Sequence, residues 1–255
     1  MKIRILGCSG GIGGRHLRTT SIIIDHDILI DAGTGVGDLP IADLAQIDHV
    51  FITHTHLDHI AYLPFLVDTV GDMRSRPLTV YGTEEVLGIL RKHIFNWVIW
   101  PDFSEIPTAD KPFMRFETIK VKVPVSLGGR TITALPANHT VPAVGYAIRS
   151  DTASLVFSGD TTVCPELWVE VNKLRDLRYL IIECAFPNRE RRLAEMSKHF
   201  CPSLLAEELA QLEREAEVYI THLKPGQIEL TMLEVEDSLG KLRPRMLQNN
   251  QVFDL

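Results

Sequence analysis

Six consecutive residues, 54–59, carry side chains that could do chemistry together. They read His-Thr-His-Leu-Asp-His and directly follow the apolar residues 50–52. Three imidazoles and a carboxylate at the end of a buried strand carry a large desolvation penalty unless positive charge lies among them. A lone histidine would indicate little, because buried histidines usually just satisfy hydrogen bonds. This cluster instead indicates a metal site, and its mixture of imidazole and carboxylate suits two adjacent divalent ions.

The spacing of the cluster predicts how its side chains converge. In an extended segment side chains alternate faces, so His54, His56 and Asp58 would point the same way. A turn into a helix would then bring His59 to the same place. We therefore expect the four side chains to meet where a buried strand ends and a helix begins.

The cluster resembles the HxHxDH signature of the metallo-β-lactamase fold superfamily. Three later motifs extend the resemblance: PANHT at 136–140 resembles the segment of the third histidine, FSGDT at 157–161 that of a bridging carboxylate, and VYITH at 218–222 that of the last histidine. The resemblance therefore covers nearly the whole chain and implies seven metal ligands. They are His54, His56 and His139 for one ion, Asp58, His59 and His222 for the other, and Asp160 between the two.

Strands and helices alternate in both halves of the chain. Strands are predicted at 2–7, 21–25, 27–31, 49–53, 78–81, 116–125, 130–135, 144–149, 155–157, 179–182 and 218–220. Helices are predicted at 38–46, 57–69, 165–174 and 202–214, and the last 25 residues are interpreted as a polar helix or strap. Strands followed by helices in both halves suit a β-sandwich with helices on its outer faces. Together with the resemblance, this order predicts an α/β fold, a four-layer αββα sandwich.

Three further segments have two interpretations each. A helix with Thr83 as N-cap is predicted to continue through Phe95, Trp97 and Trp100, whose rings are either core or a platform for a stacked base. The glycine-rich stretch 7–14 lacks the Lys-Ser/Thr of a phosphate-binding loop and is either a tight turn or a close approach of backbone to a ligand. Asp31, at a strand end, either bonds local backbone or supports a metal ligand, as the resemblance implies.

Length and composition bound the domain organisation and the partners. Ligands spread from 54 to 222 must converge on one site, so residues 1–255 are predicted to form a single domain. The composition, 45% hydrophobic and 23% charged, is ordinary for a soluble globule with a sizeable core. The formal charge of −7 argues against a protein that binds nucleic acid through general electrostatics, although two divalent ions would still let a small anion bind.

Cysteine usage and the distribution of apolar residues predict a cytoplasmic enzyme. The cysteines, at 8, 164, 184 and 201, form no CxxC motif and are interpreted as reduced thiols. Residues 2–6 already look like a strand and lead into glycines, which is not typical of a signal peptide. The longest apolar run, 60–67, contains Pro64 and is too short to span a bilayer, so no membrane partner is expected.

A dinuclear centre of this kind favours hydrolysis, because bound metal lowers the pKa of water and produces hydroxide at neutral pH. The motifs SGDT at 158–161 and ECAF at 183–186 resemble the phosphodiesterase branch of the superfamily, shared by ribonuclease Z-type enzymes and class II cyclic-nucleotide phosphodiesterases. His199 resembles a further histidine of that branch, which can protonate the leaving alkoxide, and Glu183 could orient its ring and raise its pKa. Asp58, His199 and Glu183 are the predicted catalytic residues; the alternative for His199 is an exposed histidine at a helix start.

Within that branch the sequence favours the cyclic-nucleotide enzyme. The class II enzymes share Leu57 before the aspartate, whereas ribonuclease Z typically has glycine there. Ribonuclease Z also needs a basic docking surface and a long Gly/Pro-rich arm, and neither is visible in the sequence. The densest basic cluster, 189–192, is either a solvated helix face or a phosphate site near His199. Ala61 and Tyr62 replace the small Gly or Ser usual in the class, so the substrate pocket is expected to differ.

The sequence therefore predicts a metal-dependent phosphodiesterase that opens 3′,5′-cyclic nucleotides to 5′-monophosphates by in-line attack of a metal-bridging hydroxide. The runner-up is a ribonuclease Z-like RNA phosphodiesterase, and the alternative from a different class is a di-iron oxidoreductase on the same fold. Two divalent ions are the expected cofactors, with Zn²⁺ favoured and Mn²⁺ or Fe²⁺ acceptable to the same ligands. The expected partner is a small phosphodiester, and the resemblance also implies a homodimer.

Overall fold

Two large β-sheets form the centre of the molecule in the computed structural model, which describes residues 1–14, 16–240 and 242–255. The strands are β1 (Lys2–Gly7), β2 (Ser21–Ile24), β3 (Ile28–Ile30), β4 (His49–Phe51), β5 (Leu78–Gly82), β6 (Pro107–Thr108), β7 (Lys111–Pro112), β8 (Met114–Thr118), β9 (Pro124–Leu127), β10 (Arg130–Pro136), β11 (Val144–Arg149), β12 (Ser154–Phe157), β13 (Leu177–Glu183), β14 (Glu217–Thr221), β15 (Arg245–Met246) and β16 (Val252–Asp254). The helices are α1 (Ile41–Leu44), α2 (Leu57–Ile60), α3 (Leu63–Val70), α4 (Glu84–His93), α5 (Pro165–Val171), α6 (Arg191–Ser197), α7 (Pro202–Leu209) and α8 (Ile228–Leu239). Short 3₁₀ turns lie at Thr34–Asp38, Gly71–Met73 and Asn188–Glu190.

The two sheets repeat one topology. The first has the strand order β16-β1-β2-β3-β4-β5-β8, and the second has the order β15-β14-β13-β12-β11-β10-β9. In each sheet antiparallel pairs lead to a parallel run, β3-β4-β5-β8 in the first and β12-β13-β14-β15 in the second. This repetition confirms the prediction that the second half of the chain repeats the order of elements in the first.

The apolar residues form three layers of core that separate four layers of structure. In β2 the side chains alternate, with Ile22 and Ile24 between the two sheets and Ile23 against the outer helices of the first sheet. Trp168 of α5 and Leu205 of α7 pack on the outer face of the second sheet. Because both faces of the central strands are buried, their sequences are continuous apolar runs. The predicted α/β fold, a four-layer αββα sandwich, is confirmed.

Polar side chains of β10 and β11 join the second sheet to the first. The buried hydroxyl of Tyr146, on β11, donates to the carbonyl of Ile52 at 2.8 Å, immediately before the histidine cluster. Arg130, at the start of β10, pairs with Asp27 at 2.7 Å and with Asp25 at 3.1 Å, both at the β2–β3 turn. These contacts help to fix how the halves of the site face each other.

Several predicted element boundaries are wrong. The strand 116–125 is two strands in different sheets: β8 pairs with β5, β9 pairs with β10, and the chain crosses between the sheets at 119–123. The apolar alternation continues through this crossing, so periodicity alone does not reveal it. The helix 57–69 is broken into α2 and α3, because the amide of Tyr62 donates to the carbonyl of Ala32 in the first half of the sandwich. Helices predicted at 38–46, 165–174 and 202–214 end earlier than expected, at Leu44, Val171 and Leu209.

The helix capped by Thr83 also ends earlier than predicted. Thr83 is its N-cap, as expected, but α4 stops at His93. Beyond it the Asn96 side chain accepts the amides of two following residues, and Trp97 has a left-handed φ of 63°, so the chain forms a tight loop. Phe95 is buried in the core and Trp97 is exposed. The aromatic residues therefore do not form one helical stripe.

The last 25 residues are not a simple strap. They include the second part of α8 and two short strands, and β15 extends the second sheet while β16 extends the first beside β1. Among the described residues, no helix combines the length and the apolar character needed to cross a bilayer.

Candidate metal centre

The seven predicted ligands come from both halves of the sandwich and meet at one place. His54 and His56 follow β4, Asp58 and His59 lie in α2, His139 follows β10, Asp160 follows β12, and His222 follows β14. The expectation of an extended segment up to Asp58 is wrong, because α2 begins at Leu57 with His56 as its N-cap. The four side chains instead converge because the chain leads from the end of β4 into the first turn of α2.

The ligand atoms form two groups that share one carboxylate. Within each group the atoms lie within 4.8 Å of one another: His54, His56, His139 and Asp160 in the first, and Asp58, His59, His222 and Asp160 in the second. One Asp160 oxygen lies 3.6 Å from Nε2 of His54, and the other lies 3.4 Å from Nε2 of His59. The structure thus brings together the same two sets that the resemblance implies, with Asp160 between them.

Orphaned nitrogens show that the two groups suit metal ions. Nε2 of His54, Nε2 of His59 and Nδ1 of His222 are buried without a hydrogen-bond partner. Nε2 of His139 and Nδ1 of His56 lie 3.1 Å apart, close enough for both to bind one cation when neither carries the proton. A neutral imidazole nitrogen and a carboxylate are typical ligands of divalent metals. The cluster therefore supports the binding of divalent metal ions.

The electrostatics of the histidines agree with that role. Burial lowers the pKa of His54 and His222 well below the ordinary value, and it lowers the pKa of His139 to about 4, so these rings are neutral at pH 7. For His59 burial also acts to lower the pKa, but the carboxylates of Asp160 and Asp31 outweigh it and raise the pKa well above the ordinary value. The space between those carboxylates thus favours positive charge.

Asp31 bonds to His59, one of the predicted ligands, and favours the tautomer that can bind a metal. Its Oδ2 accepts from Nδ1 of His59 at 2.6 Å and from the hydroxyl of Thr53 at 2.7 Å, while its Oδ1 accepts the Thr53 amide at 2.7 Å. All three residues are fully buried. With Nδ1 of His59 carrying the proton, Nε2 faces the centre with a free lone pair. Of the two interpretations of Asp31, the structure favours support of a ligand.

A second ligand is held by a residue that sequence reasoning missed. Nδ1 of His139 donates to the carbonyl of Lys198 at 3.0 Å, and the Lys198 ammonium donates in return to the His139 carbonyl and to Oδ1 of Asn138, both at 3.0 Å. Lys198 has a left-handed φ of 53° at the end of α6. No sequence signal marks it, because a lysine in this conformation is recognised only from the backbone.

Glu183 and His199 form a buried pair beside the centre. Nδ1 of His199 donates to Oε1 of Glu183 at 2.8 Å, and the carboxylate also accepts the amides of Thr161 and Phe200 at 3.1 and 3.2 Å. Burial alone would lower the pKa of His199, but the Glu183 carboxylate raises it above its ordinary value. The exposed-histidine alternative is wrong, because only 7% of His199 is exposed.

The His199 ring lies against the proposed metal ligands. Its centroid is 4.9 Å from the His139 ring and 5.0 Å from the His222 ring, and the ring of Phe186 lies 5.8 Å away on another side. His199 therefore contacts one member of each ligand group. Because Nδ1 is bonded to Glu183, the protonated ring carries its second proton on Nε2.

The glycine-rich stretch reaches the centre through its backbone. A Cβ on Gly10 would overlap the carbonyl oxygen of His222 and come within 2.8 Å of its ring. The amide of Gly10 donates to the Leu223 carbonyl at 3.1 Å, and the Lys224 ammonium donates to the Gly10 carbonyl at 2.8 Å. Lys224 was not predicted, although it lies two residues after a predicted ligand. Close backbone approach, rather than a phosphate loop, explains Gly10.

A cavity lies beside the end of the metal-motif helix, whereas the basic cluster 189–192 lies apart from His199. A cavity of about 570 Å³ is lined by Gly13, Gly14, Arg18, Thr34 and Tyr62 among others, which places it between the glycine-rich stretch and the end of the metal-motif helix. The arginines of 189–192 do not contact His199: Arg191 pairs with Glu195 and Glu207, and Arg189 pairs with Gln227 and Glu190. These contacts are those of a solvated surface.

Comparisons with known proteins agree with the fold. A family model described as a beta-lactamase superfamily domain matches residues 26–223. A probable 3′,5′-cyclic-nucleotide phosphodiesterase of Yersinia pestis is 27% identical over an alignment of 274 residues, covering 87% of this chain and 77% of that protein. A ribonuclease Z of Clostridium beijerinckii is 30% identical over 153 residues, covering 56% of this chain and 47% of that protein.

A solved structure extends the likeness to the whole chain. The crystal structure of unliganded yeast PDE1 matches with a TM-score of 0.81 and 18% identity, covering 100% of this chain and 99% of that one. It shares the sandwich of two sheets between helices. The family model spans most of the chain, and all seven predicted ligands lie within its range. This protein therefore belongs to the β-lactamase superfamily.

Proposed function

We propose that this chain is a metal-dependent phosphodiesterase that hydrolyses 3′,5′-cyclic nucleotides to 5′-monophosphates, with residues 1–255 as one hydrolase domain and Zn²⁺ as the favoured metal. The observation that carries the proposal is the Glu183–His199 pair, whose ring contacts both ligand groups. A sugar alkoxide is a poor leaving group and needs a proton as the phosphorus–oxygen bond breaks. A buried histidine fixed at this place can supply that proton.

The residues of the centre divide the work of such a hydrolysis. When bound, the two metal ions supply an activated water and polarise the phosphoryl group. Of the two carboxylates, Asp58 is the more open to solvent: its side chain is 27% exposed, whereas that of Asp160 is 3% exposed. We therefore assign to Asp58 the proton of the attacking water. His199 donates from Nε2 to the leaving oxygen, and Glu183 keeps its ring oriented through Nδ1.

Three observations support a small cyclic nucleotide as the substrate. The Yersinia pestis relative named a probable 3′,5′-cyclic-nucleotide phosphodiesterase aligns with 87% of this chain. The formal charge of −7 is unfavourable for docking a long polyanion. The cavity beside Tyr62, at about 570 Å³, is of the size that binds small ligands and could receive the nucleoside. A cytoplasmic location fits this substrate class and is part of the proposal.

The second candidate is an RNA phosphodiesterase of the ribonuclease Z kind. It is favoured by the Clostridium beijerinckii relative, which has the higher identity of the two, 30%, over a shorter part of the chain. The same centre would serve it, since both reactions break a phosphodiester. The two candidates differ in the surface that receives the substrate.

The test is hydrolysis by purified protein loaded with Zn²⁺ or Mn²⁺. Cyclic AMP, cyclic GMP and a 3′-extended precursor tRNA are supplied separately, with Asp160→Ala as the blank. Turnover of a cyclic nucleotide to its 5′-monophosphate, lost in the variant, is the expected result. Cleavage of the tRNA alone would establish the second candidate, and a 3′-monophosphate product would contradict the proposed release of the 3′ oxygen.

A further inference from the structure

The ammonium of Lys224 stands at the edge of the metal centre. Its Nζ donates to the Gly10 carbonyl at 2.8 Å and lies 3.2 Å from Nε2 of His222. It also lies 6.0 Å from the centroid of the Phe186 ring, which in turn borders His199. A lysine ammonium has three donors, and these contacts use two of them.

The contact with His222 cannot persist when that ring binds a metal. If Nε2 is the coordinating nitrogen, its lone pair is taken and it no longer accepts from Lys224. If Nδ1 coordinates, the neutral ring carries its proton on Nε2, which then faces the ammonium as a second donor. In either case Lys224 keeps its bond to Gly10 and has two donors free beside the centre.

Within residues 1–14, 16–240 and 242–255, two other basic side chains on this side of the molecule are already engaged. The Lys198 ammonium donates to the His139 carbonyl and to Asn138. Arg191 is held by Glu195 and Glu207 on the surface. Lys224, by contrast, is a described cation beside the centre whose contact with His222 is released when that ring binds a metal.

We infer that Lys224 binds a non-bridging oxygen of the substrate phosphate. This inference rests on the proposed function, because it assigns a residue to the phosphate of that same site. Lysine is a typical phosphate ligand that acts as a compact point charge. Its anchor on Gly10 fixes the ammonium beside His222, so the glycine-rich stretch contributes to phosphate binding through a lysine rather than through its own amides.

The experiment measures binding of inorganic phosphate to the metal-loaded protein by calorimetry, together with the metal content. Lys224→Gln can retain a hydrogen bond to the Gly10 carbonyl but has no charge, and Lys224→Arg keeps the charge. Lys92→Gln removes the same charge from an exposed position on α4 and serves as the control. We expect Lys224→Gln to weaken phosphate binding by roughly ten- to a hundredfold, as for loss of a hydrogen bond between charged groups.

Lys224→Gln should retain its metal, Lys224→Arg should recover part of the affinity, and Lys92→Gln should match the unsubstituted protein. The inference is overturned if Lys224→Gln binds phosphate like the unsubstituted protein, or if the latter binds no phosphate. It is also overturned if Lys224→Gln loses metal and phosphate together, since Lys224 would then act by holding Gly10 and His222. Weakened phosphate binding without turnover of cyclic nucleotides would support Lys224 and refute the proposed substrate.

Discussion

At the scale of single residues, the proposed acid role of His199 predicts which leaving groups the centre can release. Its Nδ1 is bonded to Glu183, so only Nε2 can give a proton to the leaving oxygen. We expect His199→Asn to lower kcat for a cyclic nucleotide by about 10²–10⁴-fold, the usual contribution of a general acid. With bis(p-nitrophenyl) phosphate, whose nitrophenolate departs without a proton, the loss should be roughly tenfold or less. Steady-state kinetics on both substrates, at equal metal content, check the difference; equal losses would refute an acid role.

Asp31 is the residue through which metal affinity can be changed without touching a ligand. In Asp31→Asn the amide group would donate to Nδ1 of His59, so the proton would move to Nε2 and block coordination. We expect Zn²⁺ affinity to fall by about 10–100-fold, the usual effect of losing such a supporting bond. Competition with a chromophoric chelator measures it. Asp38→Asn, which removes an exposed partner of Arg18, is the control and should bind Zn²⁺ normally; an unchanged affinity in Asp31→Asn would contradict the argument.

The residues of the centre differ in how far the sequence could predict them. The proposed ligands occur in short motifs at strand ends, where paired imidazoles and carboxylates are conspicuous. Glu183 and His199 could be paired only through the resemblance, since 16 positions separate them in the chain. Lys198 and Lys224 could not be predicted, because their contacts depend on a left-handed residue and on a backbone carbonyl of a distant loop.

At the scale of elements, the backbone of the glycine-rich stretch packs closely against His222, one of the predicted metal ligands. Gly10→Ala would place a methyl group on the backbone of His222, and we expect it to destabilise the metal-free protein by about 1–3 kcal/mol, as overpacking does. Gly88→Ala is the matched control: Gly88 lies within α4 with open space at its Cβ, so the same change should stabilise by about 0.5–1 kcal/mol. Urea unfolding of both variants gives the two free energies. If Gly10→Ala stabilised the protein as Gly88→Ala does, position 10 would have room for a methyl group.

Elements defined by local turns were the predictable ones. Leu127, Gly128 and Gly129 are a hairpin signal in the sequence, and in the structure Leu127 lies opposite Arg130 while both glycines adopt the positive φ that the turn requires. The crossing at 119–123 was missed because it depends on which sheet each strand joins, and an alternating pattern is the same in either sheet. The break between α2 and α3 has both a local and a distant origin, since Pro64 in the first turn of α3 has no amide to continue the helix and the Tyr62 amide bonds to Ala32 instead.

At the scale of the whole molecule, the centre exists only while the two halves keep their relative position. The first half supplies His54, His56, Asp58 and His59, and the second supplies His139, Asp160 and His222. Contacts that cross between the sheets therefore affect the site as well as stability. The sequence predicted that the halves pair, because their ligands must converge, but it could not predict which side chains join them.

Asp27 and Arg130 form one such contact, and it makes stability depend on pH. Burial acts to raise the pKa of Asp27, but the hydrogen bond and charge of Arg130, with smaller contributions from His26 and His49, outweigh it and lower the pKa. A carboxyl whose pKa is lower in the folded state stabilises the protein above its unfolded pKa, about 3.9, and this stabilisation is lost as the pH falls through the folded pKa. Arg130 also pairs with Asp25, so part of the attraction remains when Asp27 is removed.

We therefore expect Asp27→Asn to lower the free energy of unfolding by roughly 0.5–1 kcal/mol at pH 7, after allowing for solvent screening. The difference between the variant and the unsubstituted protein should shrink below about pH 4 and vanish once Asp27 is protonated in both states. Urea unfolding of the metal-free proteins from pH 7 to pH 3 measures it. Asp43→Asn on α1 removes an equal charge from another acidic position of the first half and should show no such trend. A difference that stays constant with pH would mean that Asp27 acts through packing, and not through its charge on the second sheet.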